Sequence, residues 1–439
     1  PKGMLRSKTV VNVAAAGAAA ALSVSFVRML GRRRLAMASQ DPHQWLEDVL
    51  GDKPLNWAKE RNDECIGTVG DPSKTEVYRR ILQVYDSKDK IPGLTRIGDE
   101  YYNFWRDEQH VQGIWRKTTL DSYSDVKNTK WETVIDVDAL PPPVTGTAST
   151  WVWHGASVLD QGPISKWDRA LVSLSPGGSD ADTMREFDLV AKKFLDPDTE
   201  KGFALPTPAK TDAGYRSRDE LLVGTDFGGD STCLTDSGYP RVVKAWKRGE
   251  PIEAAEVVFE GEKTDIAANQ YAYYDRGHWH EFQRRTITFY TAAFNYRVPK
   301  DVATVGAKED ATPFASVPIQ LDASLSTFGD AALIELRSPW RPPPSAAAAA
   351  GGKEYAAGSL LSCPMASCAR GDFAQLVALF EPTETCSLQA QTGTKNYLVL
   401  KVLDDVQADL RFWRYLGEGK WRLEEQQAKT GGAAKGAAK

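Results

Sequence analysis

The side chains best suited to chemistry in this chain are scattered along it. Five histidines are present: His43, His110, His154, His278 and His280. His278 and His280 form an H-x-H pair flanked by Asp275 and Glu281. Alternate residues of a strand share a face, so such a pair could chelate a metal ion. The sequence offers no further fixed ligand, and the surrounding YAYYDRGHWHEF reads as a polar, aromatic loop, so no metal site is assigned. His43 reads as a surface residue of a helix. His110 (DEQH) and His154 (WVWHG) read as hydrogen-bonding groups at loops or strand ends.

Paired carboxylates are the second chemical possibility, because two of them can share acid and base roles. Asp404 and Asp405 are adjacent, and neighbours on a strand point to opposite faces. Asp136 and Asp138 share a face but precede the Pro141-Pro142-Pro143 turn. Both pairs read as solvated turn edges. Cys363 and Cys368 have half the spacing of a zinc site, but no second pair completes it, so they read as loop thiols. A nucleophilic serine at a strand-to-helix elbow needs a G-x-S-x-G-like frame. Ser157 has Gly155 before it but Leu159 after it, Ser179 has Gly177 but Ala181, and Ser231 has Gly229 but Cys233. The residues therefore predict no catalytic site, no metal and no cofactor in this chain. They leave the substrate-binding positions unassigned.

The elements that would position these groups follow from composition and pattern. A length of 439 residues predicts two or three domains or one large repeat architecture. The net charge is −5, and the first forty residues hold seven basic and no acidic side chains, so the body is more acidic still. A body of that sign lacks the electrostatic footprint of a nucleic-acid binder. The basic side chains Lys244, Lys247 and Arg248 around Trp246 read as edge-strand charges that discourage pairing with other chains. Five cysteines, an odd number at mostly wide spacings, do not make a disulfide framework and predict a reducing compartment.

Residues 1–40 stand apart from the fold. Their Ala-rich run ends at Arg28 and the triplet Arg32-Arg33-Arg34. The segment reads as an organelle transit peptide within residues 1–38, as a signal segment or weak anchor, or as sequence upstream of a true start at Met37. Cytoplasmic or organellar placement is the expectation, with a body that is not embedded in a membrane. From Asp41 to Asp63 the grammar is helical, with Asp41 as cap, Pro42 in the first turn and Trp45, Leu46, Val49 and Leu50 on one side. A second helix is predicted over Lys74–Tyr85. From about Lys90 short β-branched and aromatic runs alternate with Gly, Pro, Asn and Asp clusters. The strongest runs recur at intervals that suit four-stranded propeller blades. Two segments look foreign to a blade: Arg341–Gly352, a low-complexity surface insertion, and residues 426–439, a disordered tail.

Seven ordered blocks carry a resemblance. They are DPHQWLED (Asp41–Asp48), YYNFWRDEQHVQGIWRKTTL (Tyr101–Leu120), LLVGTDFGG (Leu221–Gly229), LTDSGYPRVVKAWKRG (Leu234–Gly249), ALIELRSPW (Ala332–Trp340), LFEPTE (Leu379–Glu384) and YLVLKVLDDV (Tyr397–Val406). In this order the chain resembles the front half of the prolyl oligopeptidase family of serine peptidases, from Asp41 to about Leu416. The resemblance implies an all-β fold, a seven-bladed-type β-propeller short of its last blade, preceded by a short helical segment. It implies residues 41–86 as a segment that packs on an α/β-hydrolase domain and residues 87–425 as the propeller. It further implies acyl transfer from short peptides, often after proline, to a histidine-activated serine in a catalytic domain that lies outside this chain. The propeller would gate access to it. The alternative is a stand-alone, non-catalytic propeller that binds a peptide or a protein partner.

Overall fold

The computed structural model describes residues 41–48, 50–87, 89–143, 150–297, 313–344 and 352–424. The basic N-terminal segment, the 426–439 tail and residues 345–351 of the Ala-rich insertion lie outside the described residues. The chain divides into two compact units between Ile91 and Pro92.

The first unit is helical. A single 3-10 turn, Gln44–Glu47, precedes helix α1 (Asp52–Val69), and helix α2 (Glu76–Tyr85) follows. The helix expected from Asp41 thus starts eleven residues later. The Asp41 carboxylate accepts from the His43 N–H and closes a local turn instead, while Gly51 in extended backbone precedes α1 and Pro54 occupies its first turn. Helix α2 is capped by Thr75, whose hydroxyl accepts from the Tyr78 N–H.

The second unit is built from β-sheets, which we number as blades in chain order. Blade 1 holds β1 (Thr95–Ile97), β2 (Glu100–Trp105), β3 (Ile114–Thr118) and β4 (Glu132–Asp136). Blade 2 holds β5 (Trp151–Val158), β6 (Arg169–Pro176), β7 (Asp182–Asp188), β8 (Lys193–Phe194) and β9 (Ala204–Ala209), the last also paired to β7. Blade 3 holds β10 (Asp212–Ser217), β11 (Glu220–Gly224), β12 (Val242–Lys247) and β13 (Glu256–Glu260). Blade 4 holds β14 (Ala267–Asp275), β15 (His278–Thr288), β16 (Thr291–Arg297) and β17 (Ala315–Ser316). Blade 5 holds β18 (Ser324–Phe328), β19 (Ala331–Glu335), β20 (Leu360–Pro364) and β21 (Val377–Phe380). Blade 6 holds β22 (Cys386–Gly393), β23 (Tyr397–Asp404), β24 (Gln407–Gly417) and β25 (Lys420–Leu423). The blades are antiparallel meanders, the repeat unit of a β-propeller. The Pro/Ala-rich insertion falls between β19 and β20, which pair with each other across it.

Propeller blades are held face to face by side chains, because no backbone ladder joins one sheet to the next. Ile97, Trp115 and Ile135 of blade 1 pack with Val172, Leu174 and Phe187 of blade 2. Leu171, Met184 and Phe203 of blade 2 pack with Tyr215, Leu221 and Trp246 of blade 3. Phe282, Phe294 and Tyr296 of blade 4 pack with Ile334, Leu361 and Cys363 of blade 5. Phe328 and Leu360 of blade 5 pack with Leu398, Leu400 and Val402 of blade 6. Each such side chain, fully buried, contributes about 1.5–3 kcal/mol. The aromatic wealth of the sequence is used here. Phe282, for example, stacks on Tyr271 and Tyr273 and lies 4.8 Å from the Tyr296 ring centre.

Candidate functional site

Strands β5, β10 and β14 are the first strands of blades 2, 3 and 4, and β10 lies beside β14; we call the edge that these first strands form the inner edge. Two adjoining hollows, each of about 320 Å³, open along these strands. The first is lined by His154, Ser157, Ser173, Asp182, Thr211 and Asp212. The second is lined by Asp160, Asp212, Tyr215, Gln270, Tyr271 and Tyr273. Ser157, Asp212 and Ala213 belong to both. Among the described residues, neither hollow has a lysine or arginine in its lining.

Local backbone irregularity aims the polar groups. The β5–β6 register shifts between Trp153 and Gly155, which makes His154 the bulged residue, and Gly155 takes φ +134°, a value side chains disfavour. Asp182 sits where the β7–β9 register also shifts. The His154 Nδ1 lies 3.6 Å from Asp182 Oδ2. Burial pushes the Asp182 carboxyl above the ordinary range, against the pull of His154 and Ser173. Asp212 is open to solvent yet surrounded by protein, which raises its carboxyl as well; Asn269 Nδ2 donates to it at 2.6 Å. Burial pushes the Tyr271 phenol up to about 12, so it stays a neutral donor. Ser173 shares the first hollow with Asp182, whose carboxyl it lowers, and among the described residues no hydrogen bond joins it to the imidazole of His154. A serine nucleophile needs that bond, with histidine in the middle. The hollows are suited to holding a ligand by hydrogen bonds and aromatic surface.

The other sequence candidates are dispersed. His43 belongs to the helical unit and is exposed. His110 Nδ1 meets Asp107 Oδ1 at 2.9 Å inside one turn. The YAYYDRGHWHEF stretch is no loop; it is the β14–β15 hairpin, turning at Arg276-Gly277. His278 is exposed at its tip, whereas His280 is buried with Nδ1 on Tyr296 Oη and Nε2 on the Gly329 carbonyl, both at 2.9 Å. Both ring nitrogens of His280 are thereby engaged, and desolvation lowers its basicity. Asp138 accepts from the N–H groups of Gln112 and Gly113, and Asp136 from that of Asp138. Asp405 and Val406 take positive φ as the tight β23–β24 turn requires.

Two further readings need correction. Cys363 and Cys368 are not loop thiols: they sit fully buried on β20 and on the short helix Met365–Ala369. Their mutual hydrogen bond and burial drive the Cys363 thiol far up. Lys244 and Lys247 lie on β12, which pairs with both β11 and β13, so they are not edge-strand charges, and neither is Arg248. Its guanidinium holds fully buried Glu186 of blade 2 at 2.7 and 2.9 Å and reaches Asp219 at 2.8 Å. The same Glu186 accepts from Tyr215 Oη and the Phe203 N–H. Sequence reasoning missed Asp182, Asp212, Gln270 and the β14 tyrosines. No spacing signal joins residues that only blade packing assembles. The Gly after His154 was the one local hint.

Comparisons with known proteins agree with this architecture. Residues 27–279 match the family described as the prolyl oligopeptidase N-terminal beta-propeller domain. An uncharacterized peptidase of Sinorhizobium fredii is 29% identical over 391 residues, covering 87% of this chain and 49% of that protein. One of Rickettsia prowazekii is 28% identical over 384 residues, covering 83% and 48%. The chain spans about half the length of the curated relatives it matches. Among solved structures, a post-proline cleaving enzyme from Rickettsia typhi superposes with a TM-score of 0.70 at 25% identity, over 88% of this chain and 53% of that one. Oligopeptidase B from Leishmania major shares the fold, with a TM-score of 0.56 at 12% identity over 88% of this chain and 49% of that one. Among the described residues no helix is long and apolar enough to cross a membrane.

Proposed function

Because the chain belongs to the prolyl oligopeptidase family and carries its N-terminal β-propeller domain, we propose that this propeller gates a serine endopeptidase acting on short peptides. The observation that supports the reading is the inner edge itself. Hollows of about 320 Å³ suit a few side chains of an extended peptide and exclude a folded domain. Their lining supplies hydrogen-bond acceptors, tyrosine surface and no nucleophile–base pair, so the part played by these residues is steric and electrostatic. The reaction in this reading is acyl transfer from a peptide carbonyl to a serine hydroxyl activated by histidine. Relatives of twice this length leave room for the domain that would supply both groups.

The test uses the native protein in its source cells. An antibody to residues 101–120 and a fluorescent active-site serine probe are read on one gel. We expect a band well above 48.3 kDa that takes the probe. A band at or below that mass that ignores the probe would overturn the reading and leave a binding module.

A further inference from the structure

Among the described residues, the seam between blades 3 and 4 lacks the shared apolar cluster that joins blades 1 and 2, 2 and 3, 4 and 5, and 5 and 6. Blade 3 turns a small apolar face toward blade 4, with Leu222, Val243 and Ala245 backed by Val258 and Phe259, and that cluster stays within blade 3. The facing surface of blade 4 is polar. Strand β15 alternates: Phe282 enters the apolar cluster shared with blade 5, whereas its neighbours Glu281 and Gln283 point to blade 3. Gln270 donates to Glu281 at 2.8 Å and accepts from Gln283 at 3.0 Å, and Arg297 holds Glu281 at 2.6 Å. Among the described residues, three polar side-chain contacts cross to the strands of blade 3: Arg216 Nε to Glu281 Oε1 at 3.2 Å, Gln283 Nε2 to the Val258 carbonyl at 3.3 Å, and Asn269 Nδ2 to Asp212 Oδ2 at 2.6 Å. Arg216 also holds Glu220 of its own blade at 3.1 Å.

Water treats the two kinds of seam differently. Parting an apolar seam exposes hydrocarbon with no compensation. Parting a polar seam exchanges protein hydrogen bonds for hydrogen bonds to water, and the net loss per bond is small. Buried ions gain further, because opening returns the hydration they gave up on burial. Most of the blade 4 network is internal to blade 4 and survives the separation. The connection at residues 261–266 and the Ala268 N–H bond to the Pro240 carbonyl at 2.8 Å tether one end of the seam and leave the rest free to swing. The second hollow of the inner edge lies on this same seam, between β10 and β14.

We propose that the wall of the propeller parts between blades 3 and 4, giving peptides a lateral entrance to the inner edge. The entrance rests on the gating reading above, but its test needs no peptide and no catalysis. In the full chain, Gln283→Cys and, separately, Ala245→Cys place a thiol on either wall of the seam. The native Cys363, in the blade 4–5 cluster, and Cys386, in the blade 5–6 cluster, are reference thiols in the same molecule. Alkylation under native conditions is followed site by site by peptide mass spectrometry. The introduced thiol of each variant should react at least about tenfold faster than both references, as local opening below the global barrier requires. Equal rates at all sites mean that only global unfolding exposes the seam, and the proposal falls. Fast labelling in Gln283→Cys alone reports damage from that substitution and overturns it too. Either failure leaves the gating reading to its own test, and a failed gel leaves the labelling rates interpretable.

Discussion

Glu186 shows how much a single residue can carry in this protein. It is fully buried, and its carboxylate has four partners: two guanidinium nitrogens of Arg248, the Tyr215 hydroxyl and the Phe203 N–H. Removing one side of such a pair leaves a charge stranded away from water. Arg248→Met should cost about 3 kcal/mol or more, read as a lower urea midpoint without a change in slope. Asp168 makes a second clamp, with Arg218 on its two oxygens at 3.0 and 2.8 Å. That hydrogen-bonded guanidinium holds the Asp168 carboxyl below its ordinary value. A depressed carboxylate contributes stability above its unfolded pKa of about 3.9, and the contribution is lost as pH falls through the folded value. Urea midpoints of Asp168→Asn should therefore lie below wild type at neutral pH, and the gap should close as pH falls below about 4. A constant gap across that range would show that the clamp is not electrostatic.

At the scale of elements, strand β15 shows that adjacent residues can serve opposite seams. Phe282 is buried among Tyr271, Tyr273 and Tyr296, and its neighbours Glu281 and Gln283 make the polar face. Phe282→Ala should cost about 3–5 kcal/mol by emptying the blade 4–5 cluster. A thermal melt that moves by only a degree or two would argue that this seam is not the core of the unit. The apolar runs of β11, β12, β19 and β23 were visible in the sequence. The hairpin was misread as a loop because its tyrosines, histidines and tryptophan score as polar-aromatic surface, while in the blade Tyr271, Tyr273 and His280 pack against a second sheet. The first helix was placed too early because Asp41-Pro42 has the grammar of a helix start, and nothing local says that the turn closes after four residues.

At the scale of the molecule, the helical unit and the propeller are separate compact bodies joined near Ile91. Asp89, Lys90 and Ile91 are exposed at that junction. Limited trypsin treatment should cut early after Lys90 and leave a propeller fragment beginning at Ile91, identified by intact mass. First cleavage inside a blade would contradict the division. The sequence by itself determined the family, because long ordered blocks such as NFWRD and LTDSGYPR are specific strings that need no geometry to be read. It also determined the all-β class, since strand grammar is local. Only the tertiary structure decided which candidates meet. His154 and Asp182 come from different strands, Asp212 from the next blade, and the polar seam from one face of β15 set against β10–β13. Blade-to-blade contacts are made by side chains across separate sheets, with no backbone register to fix them in sequence. The chemistry of a seam therefore exists only once two blades have packed.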